Sequence, residues 1–167
     1  HLLRSVGGGY DNESVATTAM QLTFFGWAWT LAAPQSQSVV LGIVTGFFYF
    51  YMVASWGGYI FVLILIGVHC IAVFVFCKLT FDHLYLAYTS FYVVGTLLAM
   101  QVPVVGWAPI KSIEQLGPFG LFCGFQVLQL IRILEAKYRK VNKWKIRGMV
   151  VLAGAIASLP VLYVLYT

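Results

Sequence analysis

The stretch Ser38-Val39-Val40-Leu41-Gly42-Ile43-Val44-Thr45-Gly46-Phe47-Phe48-Tyr49-Phe50-Tyr51-Met52-Val53-Ala54-Ser55 decides the fold. It is followed, after Trp56-Gly57-Gly58, by an equally apolar run from Tyr59 to Cys77. Between Glu13 and Lys78 there is no Asp, Glu, Lys or Arg, a gap of 64 residues. Three further gaps run from Leu84 to Ile110, from Gln115 to Ile131 and from Gly148 to Thr167. A bilayer core takes a helix of about 20 apolar residues. A soluble domain of this size would alternate apolar and polar helix faces, and these stretches do not. Composition agrees: 61% of the 167 residues are hydrophobic and 9% charged, against roughly 25% charged in soluble domains. The fold class expected is therefore all-α, a polytopic transmembrane helical bundle. A β-barrel is excluded because strand-type alternation is absent and the segments are too long.

Six spans are expected, near residues 16–33, 38–55, 59–77, 84–106, 116–134 and 148–166. The breaks between them carry turn chemistry: Pro34-Gln35-Ser36-Gln37, Trp56-Gly57-Gly58-Tyr59 and Lys78-Leu79-Thr80-Phe81-Asp82-His83. The break near Val102–Gln115 is longer and holds Pro103, Pro109 and Lys111. Residues 1–15 are read as the end of an outer loop and residues 16–167 as a six-helix part of a transmembrane domain. The chain starts at His1 without an initiator methionine and stops at the end of an apolar run, as expected for an internal piece of a longer protein.

Orientation rests on the basic residues. Arg132, Lys137, Arg139, Lys140, Lys143, Lys145 and Arg147 crowd the connector between the fifth and sixth spans. An excess of Lys and Arg in short loops marks the cytoplasmic side. Counting spans back places residues 1–15, the Trp56–Tyr59 turn and the Pro103–Gln115 loop on the opposite side. Lys78 agrees with this count, whereas Lys111 and Arg4 fall on the far side. A solvated linker is the alternative reading of the basic run, and it leaves the orientation open. The net charge of +5 comes largely from this connector, so it does not mark a nucleic-acid partner. Trp27, Trp29, Trp56, Trp107 and Trp144 fit interfacial belts.

Few residues can carry chemistry. Asp11 and Glu13 form a D-x-E pair just before the first span. In a turn both carboxylates can face one divalent cation, and hard ions such as Mn²⁺ or Mg²⁺ take oxygen ligands and serve phosphate-bearing substrates. Arg4 can meet a phosphate through its fork of donors, and Gly7-Gly8-Gly9 lets backbone approach a ligand closely. An acidic start to the first helix, favoured by the helix dipole, is the alternative for the pair. Glu114 reads as the carboxylate that starts the fifth span, the alternative being a structural or supporting residue on the same outer side as Asp11. His69, mid-span, reads as a hydrogen-bonded packing residue rather than a proton relay. Gln21, Gln101, Gln126 and Gln129 read as partners of other helices, and Cys70, Cys77 and Cys123 as apolar fillers. Gly42-x-x-x-Gly46 and Gly117-x-x-Gly120-x-x-x-Gly124 suit close helix contact. Rings of pore-lining charge and paired broken spans are not evident, which argues against a channel.

The run Arg4-Ser5-Val6-Gly7-Gly8-Gly9-Tyr10-Asp11-Asn12-Glu13 resembles the second carboxylate motif, RSVAGSYDNE or RSVAGSFDNE, of the catalytic subunit of the eukaryotic oligosaccharyltransferase. The resemblance continues through Tyr49–Tyr59, Ala87-Tyr88 and Gly95–Gln101. It goes on through Val105-Gly106-Trp107-Ala108-Pro109-Ile110 and Ser112-Ile113-Glu114-Gln115-Leu116, similar to the family's VGFQPI and SSEHM. It is weak in the basic connector and the last span. The resemblance implies transfer of a preassembled oligosaccharide from dolichyl pyrophosphate to the side-chain amide of Asn in Asn-x-Ser/Thr. It implies a multi-pass protein of the endoplasmic reticulum membrane, with Asp11 and Glu13 lumenal and holding Mn²⁺ or Mg²⁺. The partners implied are the lipid-linked donor, an acceptor polypeptide, the bilayer and accessory oligosaccharyltransferase subunits. Arg4, Trp56 and Tyr59 are the candidate substrate-binding residues.

Departures from the pattern are Gly7-Gly8-Gly9 for Ala-Gly-Ser, Ser14 for a common glycine, and Gln115 where histidine is frequent. None removes a carboxylate. The family's first-loop carboxylate motif, its later SVSE motif and its soluble WWDYG domain are not in these 167 residues, which are not expected to act alone. The competing reading is a non-catalytic membrane scaffold or transporter segment, in which Asp11 and Glu13 merely start a helix.

Overall fold

The computed structural model describes residues 12–77 and 79–138, together with positions 143, 144, 147, 148, 150, 152 and 154. It divides into two compact units, residues 1–119 and 120–167. Every regular element among the described residues is a helix. Helix α1 spans Glu13–Ala32, α2 Ser38–Ser55, α3 Tyr59–Phe76 and α4 Phe81–Ala99. A single turn, α5 (Ala108–Lys111), and a 3₁₀ turn over Ile113–Gln115 lead into α6, Leu116–Lys137. Among the described residues three helices are long and apolar enough to cross a membrane: α2 with the turn before it (Gln35–Ser55), α3, and α6 with its own preceding turn (Ile113–Lys137). The sixth expected span, 148–166, lies almost wholly outside the described residues.

In the first unit α2 is the central element, packed against α1 on one side and α4 on the other. The buried stripe of α1 is small and hydroxylic: Ala16, Ala19, Thr23, Gly26, Trp27 and Thr30. Small residues let backbones approach where lipid tails remove any hydrophobic drive between helices. Thr23, Thr30 and Thr45 return their hydroxyl hydrogens to carbonyls one turn back, Ala19, Gly26 and Leu41, at 2.7–2.8 Å. The Thr30 and Thr45 oxygens lie 3.2 Å apart across the α1–α2 contact. The α2–α4 seam is tighter. A methyl group at Gly42 would collide with the Ser90 hydroxyl and come within 2.9 Å of the Ala87 carbonyl. One at Gly46 would meet the Gly95 nitrogen and Val94 at 3.1 Å. The outward faces stay apolar, with Phe25, Val40, Phe47, Phe61, Val68 and Val75 all exposed. A helix apolar all round belongs in a protein core or in lipid.

Two features depart from the sequence reading. The fourth helix starts at Phe81 and ends at Ala99, where a span over Leu84–Gly106 is expected. Its start takes in Asp82 and His83, whose polarity reads as a connector. His83 is buried, with Nε2 3.1 Å from the Thr30 carbonyl oxygen. That carbonyl is one of the last of α1 and has no partner within its own helix, so the imidazole N–H satisfies it. The end of α4 comes early because Pro103 lacks an amide hydrogen and disfavours helical backbone at Val102. The chain turns instead through Val105 N to Val102 O (2.9 Å) and passes Gly106 at φ 47°, a left-handed conformation natural to glycine.

The second departure is Trp27. It is buried rather than interfacial, edge-on to Tyr88 and His69, and its indole N–H donates to His69 Nδ1 at 3.0 Å. Trp29, Trp56, Trp107 and Trp144 are exposed.

Candidate functional site

The site is built on the first turn of α1. Asn12 precedes that turn without a side-chain cap, and its carbonyl accepts the first helical bond, from Ala16 N at 2.9 Å. Glu13 is therefore the acidic residue of the opening turn, where the positive end of the helix dipole favours a carboxylate. Thr17 donates its hydroxyl hydrogen to the Glu13 carbonyl at 2.8 Å. Four α1 residues at helical spacing, Glu13, Ala16, Thr17 and Met20, form one wall of a cleft of about 190 Å³. The opposite wall is Trp56.

Trp56 owes its position to the break between α2 and α3. Its backbone is extended, at φ −155° and ψ 133°, while its N–H still donates to Met52 O at 3.0 Å. The indole then folds over Gly58, where any side chain would collide with its six-membered ring. The Trp-Gly-Gly break thus sets Trp56 beside the first turn of α1, in the lining of the cleft. Trp56 as a whole is 40% exposed.

The structure brings together two of the residues singled out from sequence, Glu13 and Trp56. Tyr59 does not line the cleft: it is buried at the start of α3, against Tyr49, and its hydroxyl accepts from Gln115 Nε2 at 3.2 Å. That bond ties the 3₁₀ turn before α6 to the head of α3. Glu114, beside it, is exposed. Arg4 and Asp11 lie outside the described residues. The sequence reading missed Thr17 and Met20, although spacing alone marks them: they stand four and seven residues after Glu13, on the same helix face.

Among the described residues no group of three His, Cys, Asp or Glu side chains is placed to hold a metal ion. Among the described residues, the oxygen-bearing side chains that line the cleft belong to Glu13 and Thr17. Hard divalent cations take this donor type. The set suits Mn²⁺ or Mg²⁺ in kind and is incomplete in number without further ligands.

The geometry describes an apolar helical protein in which Glu13, at the head of α1, and Trp56, just past the end of α2, line one cleft. The family model described as "Oligosaccharyl transferase STT3, N-terminal" matches residues 1–165. A *Schizosaccharomyces pombe* protein, dolichyl-diphosphooligosaccharide–protein glycosyltransferase subunit stt3, is 44% identical over 119 residues, covering 71% of this chain and 15% of that protein. The corresponding *Caenorhabditis elegans* subunit is 39% identical over 128 residues, covering 77% of this chain and 16% of the relative. The *Saccharomyces cerevisiae* subunit is 38% identical over 128 residues, covering 77% and 17%. The chain belongs to the STT3 family of oligosaccharyl transferases. It spans about one sixth of the length of the curated relatives it matches.

Proposed function

We propose that this chain is part of the membrane domain of an oligosaccharyltransferase catalytic subunit. The reaction is transfer of an oligosaccharide from dolichyl pyrophosphate to the side-chain amide of Asn in Asn-x-Ser/Thr. The observation that carries the proposal is the cleft, which Glu13 of the family's carboxylate motif and Trp56 line together. Residues 1–15 close an outer loop and residues 16–167 supply six spans, in a multi-pass protein of the endoplasmic reticulum membrane. Positive charge in the 137–147 connector sets that side as cytoplasmic and the cleft as lumenal.

The division of labour follows from the residue chemistry. Asp11 and Glu13 supply carboxylate oxygens to a Mn²⁺ or Mg²⁺ ion. When bound, that ion stabilises the negative charge that develops on the departing pyrophosphate. Glu13 holds its oxygens at the head of α1, where the helix dipole supports their charge. Thr17 orients the opening turn through the Glu13 carbonyl. Trp56 offers an aromatic face to substrate, and Arg4 offers hydrogen-bond donors to phosphate oxygens. Tyr59 acts at one remove, by holding Gln115. The lipid-linked oligosaccharide and the acceptor polypeptide are the substrates; the bilayer and accessory oligosaccharyltransferase subunits are the surroundings.

The test is transfer of glycan from a lipid-linked donor to an Asn-x-Thr peptide by the full-length protein in microsomes, across a Mn²⁺ titration. Asp11→Ala and Glu13→Ala should each lower transfer about 100-fold, the scale of losing one electrostatic stabiliser, at unchanged expression and insertion. Wild-type transfer by both variants would leave the carboxylates as helix starters. Absence of transfer by every form, with donor and accessory subunits verified, would favour the scaffold or transporter reading.

A further inference from the structure

We propose that the outer face of α3 is the docking surface for a further transmembrane helix of the same polypeptide, one that accepts a hydrogen bond from His69 Nε2 at mid-bilayer depth. His69 stands ten residues after the start of α3 at Tyr59 and seven before its end at Phe76. At 1.5 Å per residue those distances are about 15 and 10 Å. The helix is long and apolar enough to cross a membrane, so the imidazole lies inside the hydrocarbon core of about 30 Å. Its Nδ1 accepts the Trp27 indole N–H at 3.0 Å. A ring nitrogen that accepts carries no proton, so the imidazole is neutral and its hydrogen sits on Nε2. His69 is exposed, and among the described residues nothing accepts from Nε2.

An unpaired N–H in hydrocarbon is costly, because no water is present and lipid tails accept nothing. The ester and phosphate oxygens of lipids stand at the ends of a span, not at its middle. An acceptor at this depth therefore comes from protein. A carboxylate would carry its own charge into hydrocarbon, whereas the neutral oxygens of Asn, Gln, Ser and Thr join helices in membranes.

The surface beside His69 has the form a helix needs. Phe61, Leu65, Val68 and Ala72 follow one another at spacings of four, three and four residues, in one stripe. The first three are exposed and Ala72 is half-buried. Such a stripe seats a second helix at a crossing angle of about 20°. An apolar stripe alone suits lipid equally well; the imidazole N–H is what selects a helix. His69 stands at the margin of this stripe, with Ile66 and Val73 buried on its other side. One ring nitrogen thus serves the bundle and the other the outer face. The occupant is assigned to the same polypeptide because α3 is lightly held by α1, α2 and α4, and this chain spans about one sixth of the length of its curated relatives. The inference rests on the reading of this chain as part of a longer membrane domain, and not on glycosyl transfer.

The test places the photo-cross-linker p-benzoylphenylalanine at Leu65 or Val68 of the full-length protein in microsomes, with linked peptides identified by mass spectrometry. The expected product is a membrane helix of the same polypeptide, outside these 167 residues, with Asn, Gln, Ser or Thr within one turn of the linked position. His69→Leu should lower its yield about three-fold, the effect of an average interhelical hydrogen bond in a membrane. His69→Gln, which accepts through Oε1 and donates through Nε2, should retain it. Trp27→Phe should also retain it, because the bond it removes is the inner one. Equal yield in wild type and His69→Leu would overturn the proposal. Should His69→Leu fail to accumulate, the product formed in the otherwise wild-type protein decides. Products confined to lipid, or to these 167 residues, would overturn the proposal. A product with a helix of a separate subunit would overturn it in favour of an intersubunit contact. Glycan transfer by the same microsomes is read separately: its absence beside an intact cross-link would sink the proposed activity and leave this surface in place.

Discussion

Trp27 and His69 are joined by a hydrogen bond of 3.0 Å from the indole Nε1 of α1 to the imidazole Nδ1 of α3. An indole N–H can only donate, so Nδ1 must be unprotonated and the imidazole neutral, with its proton on Nε2. The bond gives α3, which otherwise touches its neighbours lightly, a polar attachment to the bundle.

Trp27→Phe keeps most of the ring packing against Tyr88 and Phe91 while deleting the donor. Interhelical hydrogen bonds in membranes are worth about 0.6 kcal/mol on average and up to roughly 2. A modest fall in the melting temperature of the purified full-length protein is expected. His69→Phe in the Trp27→Phe background should add less than it costs alone. Additive losses would show that the two residues do not couple.

Tyr59 and Gln115 invite a sharper comparison. Gln115 is 1% exposed, and its Oε1 has no hydrogen-bond partner among the described residues. Tyr59→Phe would strand the Gln115 N–H as well, at a cost of about 1–3 kcal/mol. Replacing both partners, Tyr59→Phe with Gln115→Met, removes the stranded groups and should recover part of that loss. The check is thermal unfolding of the single and double variants; a double variant worse than Tyr59→Phe alone would contradict the pairing.

The α2–α4 seam has no spare volume at its glycines. Gly42→Ala must push away Ser90 and the Ala87 carbonyl, and Gly46→Ala must push away Val94 and the Gly95 backbone. Overpacking of this kind costs about 1–3 kcal/mol. Both variants should lower the melting temperature, Gly42→Ala more than Gly46→Ala. The reverse order would mean that the seam yields at Ser90.

Gly57 and Gly58 separate a turn from a wall of the cleft. Nothing lies within 4 Å of a side chain added at Gly57, whereas one at Gly58 would strike the Trp56 indole. Gly58→Ala should therefore resemble Trp56→Ala in glycan transfer by the full-length protein, with a loss of roughly ten-fold, the scale of one good aromatic contact. Gly57→Ala should remain close to wild type. Equal losses at both glycines would point to the turn rather than the ring.

Much of the fold is legible because charge exclusion from a bilayer is a one-dimensional property, written along the chain wherever Asp, Glu, Lys and Arg are missing. What stays hidden depends on neighbours. The early end of α4 follows from Pro103, whose ring an apolar count over 84–106 does not register. Trp27 has the composition of an interfacial residue, and only the nearness of His69 and Tyr88 makes it interior. The two glycine series look alike as strings. Gly42 and Gly46 lie against α4, while no described residue lies within 4 Å of a side chain added at Gly117, Gly120 or Gly124. Spacing reports a surface that permits close approach, not whether another helix uses it. At the site, the carboxylate motif marks Glu13, but its pairing with Trp56 across more than forty residues depends on how α1 lies along α2.

The central place of α2 bears on how the protein enters the membrane during synthesis. Helix α1 carries Thr17, Thr18, Gln21, Thr23 and Thr30, and α4 carries Asp82, His83, Thr89 and Ser90. Each such group weakens the partitioning of its own segment into lipid. Between them α2 is apolar, and its glycine seam accepts α4 at backbone contact. Stable lodging of the two weaker segments thus becomes a property of the three helices together, completed when α4 reaches Gly42 and Gly46. A bulky residue at either glycine would leave α4 without its berth and expose its hydroxyl groups to lipid. The defect would then surface in biogenesis, as chains held at the translocation machinery or degraded, before any enzyme could be assayed.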